Sequence, residues 1–222
     1  MQATRPSEEE SEGSFGVVAL AASAGGLEAF SAILSALPAG FPVPILLLQH
    51  MNLERPSVLP DLLSRITRLT VKAAQPGDRL APGHVYAAPP GRHLLVRPDG
   101  ALALSDAPMV NCVRPAADLL FESLASVYGR RAVAVVLSGR GCDGARGIEA
   151  IRRQGGMTIA QSEKTCKAPD MPAAAIETGC VEMVLPLGKI APVLEMLAGP
   201  DRVFQKPGSR QGLQGQQGLQ GR

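Results

Sequence analysis

Between residues 15 and 200 the chain alternates short runs that are apolar at nearly every position with longer runs in which apolar residues recur every three or four. "FGVVALAA" (15–22) has the first pattern, as a strand buried on both faces would. After it, Leu27, Phe30, Ile33, Leu34 and Leu37 repeat at helical spacing up to a stop at Pro38. "PILLLQH" (44–50) is a second such strand, followed by a helical stretch from Pro56 to Ile66. "LTVKAA" (69–74) and the segment 83–105 alternate and turn like extended structure, with "PDG" at 98–100 as a hairpin signal. A helix over 115–128 returns the chain to strand 132–138. Helix 144–154, strand 157–161, helix 172–178, strand 181–186 and helix 189–197 complete the series. Strands alternating with helices predict an α/β fold: a doubly wound, mostly parallel sheet with helices on both faces and an antiparallel β-hairpin insertion.

The two ends depart from this pattern. Residues 1–14 are polar and acidic, and 201–222 form a tract rich in Gly and Gln, so both are expected to be disordered around one domain at 15–200. A composition of 45% hydrophobic and 19% charged residues suits a single ordinary core. A net charge of +2 without a basic stripe, and 3% aromatics, give nucleic acid neither an electrostatic track nor stacking platforms. The apolar runs are strand-sized, well below the roughly 20 residues needed to cross a bilayer, and the N-terminus lacks the apolar core of a secretory signal. The expectation is therefore a cytoplasmic protein with no membrane insertion. Cys112, Cys142, Cys166 and Cys180 are scattered without a C-x-x-C pair, which fits free thiols and no structural metal.

In such sheets ligands bind beyond the carboxyl ends of the strands. Three reactive side chains fall there: Ser23 after 17–22, His50 after 45–49, and Asp143 in the loop after 132–138. A serine becomes a nucleophile when a histidine takes its proton, and the histidine needs a carboxylate to orient it. Each residue alone also has a simpler reading: Ser23 as an N-cap, Asp143 as the cap of helix 144–154, and His50 as a hydrogen-bonded core histidine. Gly139, Gly141 and Gly144 have the G-x-G-x-x-G spacing of a dinucleotide loop, and Glu163 lies where a ribose-binding acid is expected, so a nucleotide site is a second reading of that stretch. Small residues after Ser23 leave backbone N–H groups at the start of a helix for an oxyanion. His84 and His93, in the hairpin region, read as surface residues.

These residues resemble the catalytic domain of the chemotaxis protein-glutamate methylesterases (CheB type). The resemblance rests on "AASAGG" at 21–26, "QHM" at 49–51, "PGHVYAAPPGRH" at 82–93, "RPAADLLF" at 114–121, "SGRGCDGA" at 138–145 and "DMPAAAI" at 170–176, in family order. It implies Ser23 as nucleophile, His50 as general base and acid, and Asp143 as its orienting acid. Ala24, Gly25, Arg140 and Arg114 are the implied oxyanion or substrate-binding positions. The implied reaction is hydrolysis of glutamyl γ-methyl esters on methyl-accepting chemotaxis receptors, with deamidation of receptor glutamine in some members, and with no cofactor and no metal. Ala21, Ala24 and Arg140 depart from the family pattern, and a catalytically impaired binding module is the alternative they keep open. Fourteen leading residues cannot form the receiver domain common in the family. The expectation is a stand-alone catalytic domain that no phospho-donor stimulates, with control coming from receptor conformation, expression or a separate regulatory protein.

Overall fold

The computed structural model describes residues 15–51 and 57–199. Seven strands form one parallel sheet in the order β3-β4-β2-β1-β7-β8-β9. They are β1 (Val17–Ala22), β2 (Ile45–Gln49), β3 (Thr70–Ala73), β4 (His84–Ala87), β7 (Ala132–Val136), β8 (Met157–Gln161) and β9 (Met183–Leu185). The remaining two, β5 (His93–Val96) and β6 (Leu102–Ser105), pair antiparallel as a separate hairpin. The helices are α1 (Gly26–Ala36), α2 (Leu59–Ser64), α3 (Ala117–Tyr128), α4 (Ala145–Arg153), α5 (Asp170–Glu177) and α6 (Leu187–Ala198).

All six residues of β1 are buried because the strand is central and both its faces are covered. Side chains alternate across a strand, so one sequence feeds two cores. Val18, Leu20 and Ala22 join Phe30, Ile33 and Leu34 of α1 and Leu194 and Leu197 of α6 on one face. Val17, Ala19 and Ala21 join Leu120 and Phe121 of α3, Ile148 of α4 and Met171 of α5 on the other, with Leu94 and Leu102 of the hairpin. Removing one of the fully buried rings, Phe30 or Phe121, would cost about 3–5 kcal/mol in this packing.

From β1 the chain runs outward to β2 on one side, and it later returns to β7 on the other. The boundary between β1 and β7 is thus the point where strand order reverses, and the carboxyl ends of these strands diverge into a crevice.

The structure alters the expected layout in four places. Residues 70–73 and 84–87, read as part of the extended insertion, join the parallel sheet as β3 and β4, and only β5 and β6 remain antiparallel. His93 is not a surface residue: it is fully buried, where Nδ1 accepts from the Ala116 N–H (3.1 Å) and Nε2 donates to the Pro108 carbonyl (3.1 Å), tying the hairpin to the start of α3. His84 is half-buried, with Nδ1 2.9 Å from the Pro82 carbonyl oxygen. The helix expected from Pro56 begins at Leu59; Pro56 itself, like 1–14 and 201–222, lies outside the described residues. Among the described residues no helix is long and apolar enough to cross a membrane.

Candidate active site

Ser23 leaves β1 into a turn of three small residues that ends at Gly25, the N-cap of α1, with φ 86°. Glycine is required there for space as well as conformation, since a Cβ would stand 2.8 Å from both Ser138 Oγ and Lys167 Cβ. α1 has no side-chain cap, so Ser23 is not its N-cap. Its backbone is held on two sides: Ser23 N–H donates to the Ser138 carbonyl (3.0 Å), and Gln49 Nε2 donates to the Ser23 carbonyl (2.7 Å) and the His50 carbonyl (3.0 Å). Ser138, buried at the end of β7, closes the turn from below. Its Oγ donates to the Ala24 carbonyl (2.7 Å) and accepts from the N–H groups of Lys167 and Ala168 (3.0 Å each).

His50 follows β2 and is pinned beside the turn by its own N–H, which donates to the Ala22 carbonyl (3.0 Å). Its Nε2 lies 2.7 Å from Asp143 Oδ2, which leaves Nδ1 to exchange a proton with a substrate or nucleophile. Both side chains are nearly enclosed, at 9% and 3% exposed, so their interaction is little screened by water.

Asp143 does not cap the helix that follows it. Its carboxylate accepts from Ala117 N–H (2.6 Å) and Asp118 N–H (3.0 Å), the first turn of α3. The first turn of α4 is capped by Asp118, whose Oδ1 accepts from Gly144 N–H and Gly147 N–H (2.9 Å each). Asn111 Nδ2 donates to Asp118 Oδ2 (2.9 Å). Burial pushes the Asp118 carboxyl above the usual carboxylate range, and the neighbouring Asp143 charge adds to the shift against the Gly147 and Gly144 N–H bonds.

This arrangement also bears on the G-x-G-x-x-G stretch. In a dinucleotide site the N–H groups opening the helix face a pyrophosphate. Here those of Gly144 and Gly147 face a carboxylate of the protein. Gly139 has a different task, because a Cβ on it would lie 2.9 Å from Ser23 Cβ and 2.9 Å from Ser23 N. Its lack of a side chain is what lets the loop pass behind the serine.

Among the described residues the N–H groups of Ala24 and Arg140 have no acceptor, and they lie in the loops that flank Ser23. The Arg140 side chain is exposed. Arg114 is placed at the hairpin, where Nη1 donates to the carbonyls of Asp106 and Ala107 (3.1 Å each). Three residues of this framework have no role that the sequence alone assigns: Asp118, Ser138 and Gln49. The one available signal was that α3 and α4 both begin on residues without a capping side chain, Ala116 and Gly144, which calls for a cap from elsewhere.

Beside Ser23 opens a cleft of about 630 Å³, walled by Met51, Leu27, Val58 and Leu62 with Lys167 at its rim. Leu27, Val58 and Leu62 are exposed, so one wall is an apolar surface facing solvent. No group of three or more His, Cys, Asp or Glu side chains among the described residues is arranged to hold a metal.

A model of the family described as CheB methylesterase matches residues 18–194. The chain is 45% identical over 181 residues to protein-glutamate methylesterase/protein-glutamine glutaminase 2 of Pseudomonas aeruginosa, an alignment covering 80% of this chain and 52% of the relative. It is 43% identical over 178 residues to protein-glutamate methylesterase FrzG of Myxococcus xanthus, covering 80% and 53%. The chain thus spans about half the length of these curated relatives. The crystal structure of the Thermotoga maritima CheB methylesterase catalytic domain superposes with a TM-score of 0.79 at 36% identity, covering 83% of this chain and 99% of that one. With a family model spanning most of the described fold, and relatives agreeing in sequence and in structure, the chain belongs to the CheB methylesterase family.

Proposed function

We propose that this chain is a serine hydrolase that removes the methyl ester from glutamate side chains of chemoreceptors. The observation that carries the reading is the 2.7 Å contact between His50 Nε2 and Asp143 Oδ2, with His50 held by its backbone at the strand end next to Ser23. In this role Asp143 keeps the proton on Nε2, so that Nδ1 is the free base. Nδ1 takes the Ser23 hydroxyl proton as Oγ attacks the γ-carbonyl, and the N–H groups of Ala24 and Arg140 stabilise the oxyanion. The tetrahedral adduct collapses, the C–O bond to methoxide breaks, and the imidazolium returns its proton to release methanol. Water, deprotonated by His50, then cleaves the acyl-enzyme to leave the glutamate carboxylate and free Ser23.

The same steps with ammonia as leaving group would deamidate glutamine, the second activity in the name of the Pseudomonas aeruginosa relative. The apolar wall of Leu27, Val58 and Leu62 suits one face of a receptor helix lying in the cytoplasm. The test is methanol release from methylated receptor, wild type beside Ser23→Ala, together with labelling by a fluorophosphonate probe. Labelling and methanol release that both depend on Ser23 support the reading. A chain that neither labels nor releases methanol would be a binding module.

A further inference from the structure

α3 and α4 start side by side and exchange caps. Asp143, in the residue before the N-cap of α4, closes the first turn of α3, while Asp118, the second residue of α3, closes the first turn of α4. Neither helix has a side-chain cap of its own, so each start depends on the other's aspartate. The helices can approach this closely because of Gly147, where a Cβ would lie 2.6 Å from Phe121 Cβ. Both carboxylates are buried, and all three partners of Asp118 are N–H donors, the set that suits an ionised acceptor.

We propose that Asp118 is a positioning residue of the hydrolase, which fixes the 139–144 loop so that Asp143 reaches His50 and which adds negative charge behind that pair. Gly144 is the residue after Asp143, so a bond from its N–H to Asp118 sets the direction from which the Asp143 side chain leaves the backbone. Losing that bond frees the loop at the point where a displacement of about 1 Å can cost roughly a hundredfold in rate. The charged and titratable groups around Asp118 are Asp143 on the loop before α4, Arg146 on α4, His93 of β5 at the neighbouring Ala116 N–H, and His50 behind Asp143. Arg146 is drawn outward by Glu122 at 2.8 Å, so it offsets the Asp118 charge only in part.

The proposal rests on the methylesterase reading, and its test uses two substrates to keep the two apart. Asp118→Asn keeps the side-chain size but turns an N–H toward donors. With folded fraction checked by circular dichroism, it is expected to lower kcat ten- to a hundredfold on both methylated receptor and p-nitrophenyl acetate. KM should stay unchanged on both substrates. A loss of rate that merely follows the unfolded fraction, or a KM that rises while kcat is unchanged, overturns the proposal. Should Asp118→Asn not fold, Asn111→Ala decides: it removes one exposed donor and leaves both helix caps in place. A severalfold fall in kcat on both substrates with KM unchanged supports the role, and wild-type kinetics overturn it. Wild-type turnover of p-nitrophenyl acetate without turnover of receptor would refute the substrate and leave the role of Asp118 to be judged on the acetate.

Discussion

His50 and Asp143 stand 93 residues apart in the chain and 2.7 Å apart in the fold, joined Nε2 to Oδ2. The carboxylate that meets the imidazole also closes the first turn of α3, so it is held by two backbone N–H groups before any histidine is considered. Asp143→Asn is therefore expected to lower the rate of methanol release by roughly 10²–10⁴-fold through the wrong histidine tautomer. It should also cost about 1 kcal/mol of stability through the weakened cap. Paired kinetics and thermal melts check both.

Ser23→Ala and His50→Ala are each expected to reduce methanol release by roughly three or more orders of magnitude, with the double variant little worse, because such residues act as a unit. Independent, multiplying losses in the double variant would contradict a shared proton-transfer path.

Gly139→Ala tests whether the loop behind the serine is a spacer. The added methyl would meet Ser23 Cβ and N at 2.9 Å and press on Met171 Sδ, so Ser23 must shift. Activity should fall by about tenfold or more, with fluorophosphonate labelling slowed in parallel. Gly141→Ala, whose Cβ would meet nothing within 4 Å, serves as the control for backbone strain alone, since Gly141 has φ 88°.

The dinucleotide spacing yields its own prediction. Because Asp118 occupies the N–H groups of Gly144 and Gly147, millimolar NAD or NADP should not raise the melting temperature, and Glu163→Ala should leave esterase kinetics unchanged. A concentration-dependent rise in melting temperature would restore the nucleotide reading.

The four cysteines should differ in reactivity. Burial and the neighbouring Glu163 charge push the Cys166 thiol up to about 11, so at pH 8 it remains protonated and poorly nucleophilic. Cys112 and Cys142 are exposed. Iodoacetamide at pH 8 should modify Cys112 and Cys142 well before Cys166, as peptide mass mapping over time would show. Cys166 labelling as fast as the exposed pair would contradict this.

The central strands are legible because a strand buried on both faces is apolar at nearly every position, with Thr158 and Gln161 of 157–161 as buried polar exceptions. 17–22, 45–49, 132–136 and 157–161 were found that way, and with α1, α3, α4 and α6 they imply the doubly wound sheet. The placement of Ser23 and His50 at strand ends followed from the same boundaries, and the order of motifs pointed to the family. Pairing was not legible: 70–73 and 84–87 are recognisably extended, but periodicity within a segment carries no information about its neighbour, and they joined the parallel edge instead of the hairpin. His93 looked like a surface residue because its partners are backbone groups of 108 and 116, which no local pattern encodes. Asp143 lies where the sequence places the orienting acid, and its simpler reading as the cap of helix 144–154 fails because the helix it caps is α3. The backbone N–H groups that Asp118 and Asp143 accept from lie 25 to 29 residues away along the chain, and only the packing of α3 on α4 through Gly147 and Phe121 brings them within hydrogen-bond reach. The sequence by itself determined which side chains lie at the sheet's carboxyl edge, through local periodicity. The tertiary structure alone decided how those side chains are aimed, because their orientation is set by backbone donors from distant segments.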